Sequence, residues 1–303
     1  MRIGKEPCVA RFVLSCESTI DRPRAFLEER GVSCARFHYV IDGKKYDDDL
    51  YQSVSADEFF ARMAAGAAPK TRQVNAGEYE ALWEPHLRAG HDVLHITLSS
   101  GISGTYNAAC MAAGSLRRVY PERTVRVVDS LAASAGYGML VEGAADRRDE
   151  GCSLGDTVAW VEANRLAVQH WFFSTDLAGY RRGGRVSAAD AAVGRLLRVC
   201  PLMSMDRRGR IVVRQKPHTK GRAIKAMTQA FVDGVQGAAG YEGPCCIAHS
   251  SCRADAEKVA SALVKQVPRL SGTIEFDDIG PTIGSHTGPG TVALFFMGAK
   301  RVD

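Results

Sequence analysis

The chain of 303 residues lacks an apolar run of the roughly 18 residues that a membrane-spanning helix needs. It has no Gly-Lys-Ser/Thr phosphate loop, so nothing in it reads as a nucleotide site of that kind. The nearest approach to a G-x-S-x-G nucleophile elbow is Gly101-Ile102-Ser103-Gly104-Thr105, which ends in threonine and fails the pattern. No paired-carboxylate acid/base motif, cysteine–histidine pair or metal cluster stands out. Nine cysteines are present, an odd number, and none form a C-x-x-C pair. Cys110 in NAACMAAG and Cys200 in LLRVCPLM sit in apolar surroundings, which reads as reduced core cysteine in a cytoplasmic protein. His249 with Cys252 is too little for zinc. Val13-Leu14-Ser15-Cys16 imitates a lipoprotein cleavage site, but Arg11 interrupts a short apolar stretch, and a buried first strand is the better reading.

Charge is scarce in excess: 39 Lys+Arg against 34 Asp+Glu leaves +5, too little to call for nucleic acid and enough for an acidic small ligand or partner. With 46% hydrophobic and 24% charged residues the chain is an ordinary globular protein, long enough for two domains. Strand candidates at residues 9–15, 35–41, 92–98 and 124–128 alternate with helical patterns at about 20–30, 56–64, 77–88, from 103, and 134–147. That alternation predicts an α/β fold with a parallel sheet flanked by helices. The second half has strands at 169–174, 201–205, 244–249, 273–276 and 292–297, a hairpin about Arg208-Gly209, and helices at 219–233 and 253–266. Its short turns predict a mixed sheet. The expected division is 1–168 and 169–303.

Four segments could carry a site. Ser99–Thr105 places four hydroxyls and two glycines after the apolar strand 92–98, where parallel sheets bind ligands. Helix capping accounts for it equally well. Arg181-Arg182-Gly183-Gly184-Arg185 is a compact positive turn suited to a carboxylate or phosphate, or a solvated helix end. Gly284–Gly290 (GSHTGPG) reads as a rigid turn that presents His286, whose imidazole can donate at one nitrogen and accept at the other. Pro69–Asn75 is a polar connector in which Thr71 is either a helix cap or a ligand contact. Hydroxyls, arginine and one histidine bind anions better than they do chemistry.

Taken in order, these motifs resemble the DegV family, which includes the fatty-acid-binding subunit of bacterial fatty acid kinase. Cys16–Asp21 (CESTID) is similar to the family's T-D-S-T-A-D, and Lys70–Asn75 (KTRQVN) to T-T-S-Q-P-S. Leu98–Asn107 (LSSGISGTYN) is similar to S-S-x-x-S-G-T-Y, and Val127–Ser130 with Ala133–Gly136 to V-V-D-S…A-S-x-G. Arg182–Ser187 and Ile279–Gly290 complete the series. The resemblance implies two α/β domains with a long-chain fatty acid between them and an apolar tunnel in the N-terminal one. It implies that Thr71 and Ser100, with Ser99 adjacent, hold the carboxylate, and that Arg185 and His286 complete the polar network. It further implies a carrier without catalytic residues or cofactor. The partner would be a separate ATP-binding kinase subunit that makes the acyl phosphate, and a transient membrane contact is admitted. A lipid-responsive sensor, or an acyl hydrolase or transferase using Ser100 and His286, is the alternative. Departures are Cys16-Glu17 for Thr-Asp, Arg72, Val74 and Asn75 in the second motif, and Lys220 where the family often has arginine at a position implicated in kinase docking.

Overall fold

The computed structural model describes residues 12–186, 199–235 and 237–302; Cys8, the start of the 9–15 strand and Ser187 lie outside them. β1 (Phe12–Glu17) runs into a 3-10 turn (Ser18–Ile20), then α1 (Arg24–Glu29) and β2 (Val32–Ala35). The helix expected over 20–30 is broken because Asp21 takes a left-handed φ of 49° and Pro23 follows. The strand expected over 35–41 also divides. Phe37 turns into the core with its N–H on Ser18 Oγ at 3.1 Å, and the chain leaves the sheet to form β3 (His38–Ile41). β3 pairs with β4 (Lys44–Asp47) about Asp42-Gly43, both at positive φ as a two-residue hairpin requires. α2 (Ala56–Ala64) opens on Ser55, whose Oγ accepts the Glu58 N–H at 3.2 Å. The polar connector contains β5 (Lys70–Arg72), which pairs with β3 in a three-stranded sheet ordered β4-β3-β5. α3 (Ala76–Arg88) is capped by Asn75 in a capping box with Glu78, so Thr71 is not the cap.

β6 (Asp92–Thr97), α4 (Thr105–Val119), β7 (Val125–Asp129), α5 (Ser134–Asp149) and α6 (Leu154–Asn164) complete the first half. Sequence reading missed α6, although Ser153 with Asp156 three residues on marks its start. The main sheet is parallel, ordered β2-β1-β6-β7. Its inner strands are buried on both faces, which is why β6 reads as a near-continuous apolar run. The exceptions are paired: Ser15 Oγ takes the Trp83 indole N–H at 3.1 Å and meets His95 Nδ1 at 3.0 Å, and Glu17 Oε2 accepts the Leu98 N–H at 2.8 Å.

The second half comprises β8 (Val168–Phe173), α7 (Ala178–Arg182), β9 (Leu202–Met205), β10 (Ile211–Gln215), α8 (Lys220–Gly234), β11 (Cys245–His249), α9 (Arg253–Gln266), β12 (Glu275–Asp278), α10 (Pro281–Thr287) and β13 (Val292–Met297). Its six-stranded sheet, β10-β9-β8-β13-β11-β12, is antiparallel except for the parallel β11–β12 pair. The fold is α/β, with a parallel sheet flanked by helices and a second, mixed sheet. Residues 281–287 form a helix, not the turn expected there: Pro281 starts it at the position where a missing N–H costs nothing, and Gly288 ends it at φ 71°.

α5 lies between the two sheets and is buried on almost every side over Ser134–Val141, so one core runs from Leu14 through Tyr137 to Phe172 and Phe295. Two carboxyls are sealed beside it. Asp21 accepts from Ser134 Oγ at 2.5 Å, and Asp48 Oδ2 from Thr282 N and Oγ1 at 3.2 and 2.5 Å, anchoring the first turn of α10. Burial pushes Asp21 well above the usual carboxylate range and Asp48 up to about 6. A carboxyl whose folded pKa lies above its unfolded value stabilises the fold at low pH. That contribution is lost as pH rises from about 4 through about 6. Asp48→Asn keeps an acceptor and removes the titration. In urea unfolding the wild type is expected to lose about 2 kcal/mol relative to this variant over that window; parallel pH profiles would contradict it.

Candidate functional site

Beyond the carboxyl ends of the parallel strands, against one face of the mixed sheet, lies a cavity with about 780 Å³ of empty space including its mouth. Strand periodicity makes its wall. Alternate residues of β8 (His170, Phe172) and β13 (Ala293, Phe295) point into it, joined by Met205 and Ile211 of the β9–β10 hairpin. Phe37, Leu98, Ile102, Ile279 and Ile283 supply most of the remaining apolar surface. The resemblance implied a tunnel inside the N-terminal domain; the cavity instead draws its walls from both halves of the chain.

Polar groups gather at one end. β5 brings Thr71 and the last turn of α10 brings His286, joined by a 2.8 Å bond between Thr71 Oγ1 and His286 Nε2. When Nε2 carries the proton it donates to Thr71, which frees the threonine O–H for an incoming acceptor. The imidazole also packs on Gly183, where a β-carbon would overlap Nδ1, and Gly179 lies equally close to the His286 carbonyl. Burial, then the charges of Arg185 and Arg182, push His286 down to about 4, so the ring is neutral at pH 7. Arg185 donates from Nε to the Ile102 carbonyl at 3.1 Å and from Nη1 to the Gly183 carbonyl. Among the described residues no carboxylate pairs with it, and burial alone lowers its pKa. Ser103 lines the cavity beside Ile102, its Oγ accepting the Thr105 N–H at 3.3 Å. This end presents hydroxyls, a neutral imidazole and a guanidinium with no carboxylate partner among the described residues, a set of groups whose chemistry suits an oxyanion.

Of the five residues put forward from sequence, Thr71, Arg185 and His286 therefore come together. Ser99 and Ser100 do not join them. Ser99 is fully buried; its Oγ donates to the Gly209 carbonyl at 2.8 Å and accepts the Gly101 N–H at 3.1 Å, clasping the hairpin tip onto the loop. Ser100 is exposed, its N–H on Asp129 Oδ1 at 3.1 Å, and it does not line the cavity. Ser103, from the same segment, lines the cavity instead. Sequence reading also missed Tyr180, Thr287 and Thr291 on the wall, and no local signal marks them. The only hint was that Thr287 shares the histidine motif. His170 is neutral too: burial pushes it well below the ordinary value, and its Nε2 accepts the Ala133 N–H at 3.2 Å. Among the described residues no group of three or more His, Cys, Asp or Glu side chains is placed to hold a metal ion, and no helix is long and apolar enough to cross a membrane.

The family model for DegV proteins matches residues 12–299. A DegV domain-containing protein of Clostridium perfringens is 31% identical over 291 residues, covering 96% of this chain and 99% of its own. Two solved structures have similar folds. A DegV family protein from Thermus thermophilus, described for its fatty acid binding, superposes with a TM-score of 0.81 at 28% identity, covering 95% of this chain and 99% of its own. The fatty acid binding DegV family protein of Streptococcus agalactiae gives 0.84 at 26%, covering 96% and 100%.

The dehydrated setting of His286 has a direct readout. Its ring resonances in the ligand-free protein are expected to titrate near pH 4. Gly183→Ala, which forces the ring aside, is expected to move that midpoint up toward the ordinary value of about 6.5. A wild-type midpoint already near the ordinary value would contradict this description of the site.

Proposed function

We propose that this chain, which belongs to the DegV family, binds a long-chain fatty acid and presents its carboxylate to a separate ATP-binding kinase subunit for phosphorylation to an acyl phosphate. The observation that carries the first part is the half-buried Arg185 guanidinium, without a carboxylate partner among the described residues, at the polar end of an apolar cavity. An unpaired charge away from water is costly, and a ligand anion offsets that cost. The apolar remainder suits an acyl tail. At about 0.8 kcal/mol per methylene, roughly 14 methylenes contribute on the order of 11 kcal/mol before ordering costs. The tail thus supplies affinity and the carboxylate supplies orientation. The fatty acid binding of the two solved relatives supports the same reading.

In this reading Thr71 and Ser103 donate to the carboxylate and Arg185 neutralises it. Neutral His286 donates its one N–H to Thr71 and so turns the threonine O–H toward the carboxylate that receives the phosphoryl group. In this reading the protein is a cytoplasmic carrier without a cofactor or catalytic residues of its own, and a transient membrane contact is compatible with it. Ser100 and His286 do not form a nucleophile–base pair, since Ser100 is outside the cavity and His286 Nε2 engages Thr71. That removes the support for a serine hydrolase.

Mass spectrometry of the denatured, bacterially produced protein is expected to release a long-chain fatty acid. Thr71→Val and Arg185→Met should each weaken fatty acid binding about tenfold, whereas Ser100→Ala should stay within about twofold of wild type, with circular dichroism unchanged in all three. Acyl phosphate should form only when the chain, an ATP-binding kinase subunit and ATP are combined. A ligand-free protein that ignores added lipid would overturn the carrier reading; lipid binding without acyl phosphate would overturn the kinase step alone.

A further inference from the structure

The hydroxyls around the cavity are not equivalent. Thr71 is bonded to His286, Ser134 to Asp21 and Thr282 to Asp48. Thr291 Oγ1 is within 3.0 Å of Ser174 Oγ and 3.1 Å of the Thr287 carbonyl. Two wall hydroxyls are left over. Tyr180 Oη and Thr287 Oγ1 are sealed from solvent and make no hydrogen bond of normal geometry. Tyr180 is completely buried, stacked on Phe172 at 6.3 Å between ring centroids. Its hydroxyl lies beside those of Thr291 and Ser174, whose mutual bond uses the Thr291 proton, and it meets neither at hydrogen-bonding distance and angle. Thr287 is 8% exposed and follows His286 directly on α10.

A saturated hydrocarbon tail cannot pair either oxygen. Enclosed behind such a tail, each hydroxyl keeps the desolvation cost of an unmade hydrogen bond. A phenol O–H donates and a threonine hydroxyl does both, so together they match a hydroxyl group, which also does both. Resting on the fatty acid reading above, we propose that Tyr180 and Thr287 form a second polar station in the acyl cavity and that the preferred ligands are fatty acids carrying a hydroxyl on the chain. The carboxylate sits at Thr71, Ser103 and Arg185, and the chain hydroxyl donates to one station oxygen while accepting from the other. Apolar surface still supplies most of the affinity; the station sets which acyl chains are favoured.

Competition binding tests this with stearic acid and hydroxystearic acids whose hydroxyl lies near the carboxylate, at mid-chain, or near the methyl end. In the wild type at least one isomer is expected to bind about three- to tenfold tighter than stearic acid. Tyr180→Phe should abolish that preference while leaving stearic acid as tightly bound or tighter, and Thr287→Val should do the same independently if either variant fails to fold. Stearic acid bound with no isomer preferred would overturn the station and leave the carrier reading standing. A preference that survives both substitutions would overturn it too, as expected if a buried water satisfies the two hydroxyls. Loss of binding for every acid in the wild type would overturn both readings.

Discussion

A guanidinium pressed against an apolar cavity, with no carboxylate counter-ion among the described residues, is the constraint around which the site is arranged. Arg185 is held by main-chain carbonyls of Ile102 and Gly183, which fix its direction but do not neutralise it. Burial, and then this charge, depress the neighbouring imidazole, and the neutral imidazole can hold Thr71. A carboxylate from the protein itself would have closed the site. Among the described residues the buried acids are engaged elsewhere: Asp21 by Ser134, Asp48 by Thr282, and Asp277, with Glu275, by Arg22.

The cavity depends on two sheets meeting around one helix. α5 is small-residue-rich where it passes between them: a side chain on Gly136 would overlap His170, and one on Gly138 would crowd Arg22. This close approach brings the carboxyl ends of the parallel strands opposite the face of β8 and β13. Neither half alone encloses the space, since Leu98 and Ile102 come from one and Phe172 and Phe295 from the other.

The alternation of strands and helices was plain in the sequence because buried parallel strands read as unbroken apolar runs. Arg185, His286 and Thr71 were legible as types: arginine and histidine among glycines seldom serve packing. The choice among the hydroxyls of Ser99–Thr105 was not legible. It turns on a tight bend in which the N–H groups of Ile102 and Ser103 both bond the Ser99 carbonyl, sending Ser99 toward Gly209 and Ser103 toward the cavity. Two flanking glycines made 284–290 look like a turn, and only Pro281 at the first helical position reveals α10. Tyr180 and Thr287 are invisible in the chain because segments more than a hundred residues apart make them neighbours of one space.

The clasp between Ser99 and Gly209 bears on how such a container can change capacity. Gly209 sits at φ 68° with no room for a β-carbon beside Ser99, and Gly101 abuts its carbonyl from the other side. The hairpin tip is therefore keyed to the loop, and lengthening either one prises the other away. Insertions are closed off as a route to a roomier or tighter interior. Side-chain bulk at Met205, Ile211 and Phe172, which line the space without joining the clasp, is the more direct means of resizing it.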